Sequence, residues 1–125
     1  MLSIVVPCYN EEAMIALFIE AVDRVMFQHP QKIEYIFVND GSKDGTLDLL
    51  KKYHQARPTE IHYLSFSRNF GKEAALYAGL QHAKGDFVTV MDADLQDPPE
   101  LLPEMLALIK TKKIDCVGTR RENRK

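Results

Sequence analysis

Strand-length runs of apolar, often β-branched residues, separated by helix-patterned segments, leave this chain few folds to choose from. Leu2–Cys8 is the first such run, followed by Ile33–Asn39, Ile61–Phe66, Phe87–Met91 and Ile114–Gly118. Several of these strands are apolar on both faces, so both faces must be covered, and the segments between them supply the cover. Ile15, Phe18, Ile19, Val22, Val25 and Met26 recur at helical spacing, as do Leu47, Leu50 and Tyr53, and then Leu101, Leu102, Met105, Leu106 and Ile109. Gly71 to His82 reads as an alanine-rich helix. The pattern predicts an α/β chain, a three-layer, doubly wound and mostly parallel sheet of five strands. Helix limits follow from local chemistry. Asn10 is the expected N-cap of the first helix, with Glu11 and Glu12 in its first turn, and His29-Pro30 ends it. Asp97 is the expected cap of the last helix, followed by Pro98, Pro99 and Glu100.

At 125 residues this is one domain, without repeats or low-complexity stretches. A composition 46% hydrophobic and 27% charged belongs to a folded globular protein, and a net charge of -2 gives no reason to expect nucleic acid as a partner. No run approaches the roughly 18 apolar residues of a membrane span. Met1-Leu2-Ser3-Ile4-Val5-Val6-Pro7 lacks a basic start and a cleavage site, and reads as a strand rather than a signal peptide. Cys8 and Cys116 lie in apolar runs and are expected to be buried thiols, which makes a soluble, cytoplasmic chain the default.

Right-handed crossovers place the carboxyl ends of parallel strands on one rim, where ligands bind. Four polar clusters fall there: Tyr9 to Glu12, Asn39 to Ser42, Ser67 to Lys72 and Asp92 to Gln96. In Asp92-Ala93-Asp94, two carboxylates one residue apart at a strand end suit Mg²⁺ or Mn²⁺ shared with phosphate oxygens, although a turn would also use them. Asp40 can accept from a nucleobase imide or a ribose hydroxyl, with Gly41 letting the backbone approach a ligand; an Asx-turn is the other reading. Tyr9 offers a ring to a base, while Glu12 is better read as compensating the helix dipole. Lys72, at a helix start facing the rim, either attracts a diphosphate or forms an ordinary solvated pair with Glu73.

Other classes fit less well. A signalling receiver domain needs an Asp after the third strand and a Lys after the fifth, where this chain has Ser65-Phe66-Ser67-Arg68 and Gly118-Thr119-Arg120. No Gly-x-Gly-x-x-Gly and no P-loop occurs, and His29, His54, His62 and His82 share no metal-ligand spacing.

Val5-Val6-Pro7-Cys8-Tyr9-Asn10-Glu11-Glu12, then Val38 to Thr46, then Met91-Asp92-Ala93-Asp94-Leu95-Gln96-Asp97-Pro98-Pro99-Glu100 together resemble the family 2 inverting glycosyltransferases of GT-A fold, Rossmann-like in their nucleotide-binding half. Within that family the chain is similar to the bactoprenol glucosyltransferase and dolichol-phosphate mannosyltransferase group, and Ser67-Arg68-Asn69-Phe70-Gly71-Lys72-Glu73-Ala74-Ala75-Leu76 favours the bactoprenol branch. The resemblance implies that Pro7, Tyr9 and Glu11 line a nucleoside pocket, with Val38 and Asp40 at the base and ribose. It further implies that Asp92 and Asp94 hold the metal, Mg²⁺ or Mn²⁺, and the diphosphate, with Ala93 and Gln96 completing the site. The implied reaction moves a hexose, with inversion, from UDP-glucose or a GDP-mannose type of donor to a polyprenyl phosphate. Such a site would serve a non-catalytic nucleotide-binding module equally well.

Members of this family are considerably longer, and their later half carries the acceptor site, a catalytic carboxylate and membrane helices. Residues 1–125 are therefore expected to be the nucleotide-sugar-binding portion, with no catalytic residue of their own to assign and no transfer unaided. The full-length protein is expected at the cytoplasmic face of the membrane, bound through the downstream part. A sheet so shortened has an open edge through which copies could self-associate.

Overall fold

The computed structural model describes residues 1–112. Strands β1 (Leu2–Cys8), β2 (Ile33–Asn39), β3 (Ile61–Ser65) and β4 (Phe87–Val90) alternate with helices α1 (Glu12–Met26), α2 (Thr46–Ala56), α3 (Lys72–His82) and α4 (Leu101–Lys112). The strands pair in the order β3-β2-β1-β4, all parallel, with Val6 opposite Phe37, Phe37 opposite Tyr63 and Val5 opposite Val90. This is the doubly wound α/β arrangement expected. The expected fifth strand, Ile114–Gly118, lies outside the described residues, as does Cys116.

Alternation along the strands sends side chains to two cores. Leu2, Ile4, Val6 and Cys8 of β1, with Tyr35, Phe37 and Ile61, face one side. There Ile15, Phe18, Ile19, Val22 and Met26 of α1, Leu50 of α2, and Leu102 and Leu106 of α4 close over them. Phe18, Tyr35 and Phe37 form its aromatic centre, with Tyr35 and Phe37 stacked and Phe18 set edge-on to both. Val5, Ile36 and Val38 face the other side, under Ala75 of α3. On β4 that second side is only partly covered: Val88 and Val90 remain exposed.

α3 can lie close to the sheet because Gly79 has no side chain. A Cβ there would overlap Val5 Cγ1 and come within 3.2 Å of Val38 Cγ2. In an open helix, Gly→Ala gains about 1 kcal/mol. Here both valines are fully buried and stiff at χ1, so overpacking outweighs propensity. Gly79→Ala is expected to lower stability by about 1–3 kcal/mol, read as an earlier urea midpoint at unchanged slope.

Two helix starts differ from the sequence expectation. Asn10 does not cap α1: it sits in the left-handed region at φ 53°, and the cap position falls to Glu11 without a side-chain bond. Asn is among the few residues that tolerate this conformation, and its amide is used elsewhere. Regular α4 begins at Leu101, after a turn in which the Leu101 and Leu102 N–H groups reach the Pro98 and Pro99 carbonyls. Pro99 disfavours helical backbone at Pro98, which delays the helix beyond the Asp97 position.

Candidate functional site

From β1 the chain steps outward through β2 and β3, then returns to β4 on the other flank, so the winding reverses between β1 and β4. In such sheets a crevice opens at that reversal, outside the carboxyl ends of the strands. Proline helps to open it here. The Met91 N–H donates to the Val5 carbonyl at 3.0 Å, so Val5 directs its backbone toward β4. Pro7, two residues on, points the same way and has no N–H to offer. β1 and β4 therefore part at the rim, between Pro7 and Asp92.

The loops after β1 and β2 are joined. The Asn10 N–H donates to Ser42 Oγ at 2.8 Å, and Asn10 Oδ1 accepts from the Lys43 N–H at 2.8 Å. The Glu11 N–H donates to Thr46 Oγ1 at 3.0 Å, while Asp44 Oδ1 accepts from both the N–H and the hydroxyl of Thr46. Asp44 Oδ2 also accepts from the Glu12 N–H, and Glu12 Oε1 accepts from the Gly45 N–H. Burial acts to raise the Asp44 carboxyl, but the bonds it accepts from the Thr46 hydroxyl and N–H and from the Glu12 N–H together hold it below its ordinary value. Glu12 thus ties the two loops together as well as sitting at the positive end of α1.

Asp40 organises the third cluster. It is 4% exposed, and its Oδ1 and Oδ2 accept from the Phe70 and Gly71 N–H groups at 2.7 and 3.0 Å. Asn69 Nδ2 donates to the Asp40 carbonyl at 3.2 Å. Gly41, at φ 72°, admits the Arg68–Asn69 backbone so closely that a Cβ would overlap it. The close approach expected of Gly41 is therefore to the chain itself. Asp40 fixes Gly71, and Gly71 leads into Lys72, the first residue of α3.

After β4 the chain turns sharply. Asp92 is half-buried, Ala93 is buried and Asp94 is exposed. Leu95 takes φ 61°, unusual for a branched residue, while its side chain packs on the core. The Gln96 N–H and side-chain amide both donate to Asp94. Burial, then the charges of Asp94, Asp92 and Asp44, push the Glu11 carboxyl above its ordinary value. Burial first, then Glu11 and Asp92, push the Cys8 thiol upward, so Cys8 is an inert core thiol. Set against this acidic group, Lys72 Nζ lies 2.9 Å from Asp92 Oδ1. Among the described residues no three His, Cys, Asp or Glu side chains are arranged as a ready metal cage. Two carboxylates beside a crowded third nevertheless suit a hard cation completed by phosphate oxygens and water.

The structure puts Glu11 within electrostatic reach of Asp92 and Asp94, with Pro7 at the mouth of the crevice, and leaves Tyr9 44% exposed. It does not bring the Val38 side chain there: Val38 is wholly buried beneath α3. Lys72 pairs with Asp92, where the sequence suggested a diphosphate or Glu73. Asp44 and Thr46 escaped sequence reading, since Asp-Gly-Thr looks like any turn followed by a helix.

Residues 3–125 match the family model described as Glycosyl transferase family 2. The chain is 46% identical over 105 residues to a bactoprenol glucosyl transferase of Shigella phage SfV, covering 84% of this chain and 34% of that one. It is 38% identical over 124 residues to an undecaprenyl-phosphate 4-deoxy-4-formamido-L-arabinose transferase of Aeromonas hydrophila, covering 99% and 38%. The chain thus spans about a third of the length of these curated relatives. A solved mannosyltransferase of Pyrobaculum calidifontis, in complex with GDP-Man and Mn²⁺, superposes with a TM-score of 0.67 at 26% identity, over 86% of this chain and 32% of that one.

Proposed function

The chain belongs to glycosyl transferase family 2, and from that premise we propose that it forms the donor-binding portion of a hexosyltransferase that uses a nucleotide sugar and a polyprenyl phosphate. The observation that carries the reading is the Lys72–Asp92 pair at the rim where the sheet reverses between β1 and β4, with Asp94 two residues on and Glu11 within electrostatic reach of both carboxylates. Asp92 and Asp94 would hold Mg²⁺ or Mn²⁺, which when bound neutralises charge on a departing diphosphate. Pro7, Tyr9 and Glu11 would border the nucleoside, Tyr9 giving its ring to the base. Ala93 would contribute backbone, and Gln96 would hold Asp94 in place.

The proposed acceptor follows the two relatives, whose names carry a bactoprenol and an undecaprenyl phosphate. Those names differ in the sugar, and UDP-glucose is favoured here on the likeness to the first. In the proposed reaction the acceptor phosphate attacks the anomeric carbon in line and inverts it. No helix among the described residues is long and apolar enough to cross a membrane. Contact with a lipid acceptor at the cytoplasmic face is assigned to further sequence, as are the catalytic base and the acceptor site. The chain alone is therefore expected to bind donor without transferring sugar.

Calorimetry with UDP, GDP, UDP-glucose and GDP-mannose, each with and without Mn²⁺, tests this. UDP and UDP-glucose are expected to bind in a Mn²⁺-dependent manner, and more tightly than the guanine nucleotides. Binding of none of the four in the presence of Mn²⁺ would overturn the donor-site reading.

A further inference from the structure

Lys72 is the first residue of α3 and reaches across the crevice to Asp92, its Nζ 2.9 Å from Oδ1. The contact is directed from both sides. Asp40 clamps the Phe70 and Gly71 N–H groups and thereby sets where α3 begins, while β4 delivers Asp92 half-buried to the rim. The cap position of α3 is Gly71, which has no side chain to cap the first turn. An exposed lysine on a flexible stem is ordinarily free to wander, and here it is set on one oxygen of the carboxylate that the donor-site reading gives to a divalent cation.

We propose that Lys72 is a resident counter-ion: it neutralises Asp92 while the crevice is empty and passes to the donor's diphosphate when a divalent cation takes Asp92. The inference rests on the donor-site reading and extends it to a positioning residue for metal and diphosphate together. A divalent cation arriving alone must displace Lys72, so it binds weakly. A diphosphate arriving with it gives Lys72 a second anion within reach. Cation and diphosphate then favour each other's binding, and by linkage each does so equally. The handover also limits futile loading of the site with metal before donor is present.

The test separates this role from the site itself. Free Mn²⁺ is followed by electron paramagnetic resonance, with and without UDP, and UDP binding by calorimetry, in the wild-type chain, Lys72→Met and Lys72→Arg. With the ion pair gone, Lys72→Met is expected to bind Mn²⁺ alone about two- to fivefold more tightly. UDP in saturating Mn²⁺ is expected to bind the same variant about fivefold more weakly, because a charged contact to phosphate is lost. Lys72→Arg, which keeps the charge, is expected to resemble wild type in both. If Lys72→Met binds Mn²⁺ alone no more tightly than wild type while the wild type binds Mn²⁺ and UDP, the counter-ion role is wrong and the donor site stands. If the wild-type chain binds neither, the donor site is wrong and the counter-ion role falls with it.

Discussion

Replacing Asp40 with alanine is expected to destabilise the chain by about 2–4 kcal/mol, more than any surface carboxylate change would. The carboxylate is buried, and both oxygens are used, one on the Phe70 N–H and one on the Gly71 N–H. Hydrogen bonds to a charged group contribute about 1.5–3 kcal/mol each, and alanine removes both acceptors together. Part of the loss is recovered because Phe70 is exposed and its N–H can turn to water. Asp40→Asn is informative beside it. An amide keeps one acceptor but turns a second donor toward an N–H, so it is expected to recover less than half of the difference. Thermal and urea unfolding of both variants measure this. A second effect separates Asp40 from a merely structural residue: its clamp sets the start of α3, and so the position of Lys72. Donor binding in Mn²⁺ is therefore expected to weaken in Asp40→Asn at temperatures where the variant remains fully folded. Unchanged unfolding in Asp40→Ala would mean that the clamp contributes nothing to the native state.

This clamp also marks how far the sequence could be read. That Asp40 lies at a strand end on the ligand rim follows from the apolar run Ile33–Val38 and the turn residues after it. That its carboxylate takes its bonds from Phe70 and Gly71 does not follow. Those partners are thirty residues away, and their meeting depends on how α3 returns across the sheet. The same distinction holds elsewhere. The parallel sheet was legible because β1 and β2 are apolar on both faces, and the α1 stripe because helical spacing is local. Asn10 was misread because capping preference is statistical, whereas its left-handed backbone is fixed by tertiary partners, Ser42 and Lys43. The resemblance sets Val38 at the nucleoside, and strand alternation sends its side chain to the α3 core. Lys72 could be assigned to the rim, yet two anions competed for it on paper and the fold supplied a third, Asp92.

Asp94→Asn is expected to weaken UDP binding in saturating Mn²⁺ about a hundredfold, and at the same time to stabilise the metal-free chain at pH 7. The first effect follows from removing a charged oxygen donor from the proposed cation site while keeping its shape, since an asparagine can still accept from the Gln96 N–H. The second comes from Glu11. Its carboxyl is held above the ordinary value by burial first and then by like charges, Asp94 foremost among them. A carboxyl whose pKa is raised by folding contributes stability that is full below its unfolded pKa and is lost as pH rises through the raised value. At pH 7 the ionised Glu11 is therefore a net burden on the metal-free fold, and deleting the Asp94 charge lightens it. The stabilisation should shrink as pH falls and Glu11 takes up its proton, because a neutral Glu11 no longer opposes the Asp94 charge. Melting temperatures of wild type and Asp94→Asn at pH 7 and at pH 4, each with and without Mn²⁺, resolve the two effects. Added Mn²⁺ should raise the wild-type midpoint at pH 7 and leave that of Asp94→Asn nearly unchanged. A variant less stable than wild type at pH 7 without metal would show that Glu11, Asp92 and Asp94 are not held together against their charge. The case for a cation between β1 and β4 would then lose its physical motive.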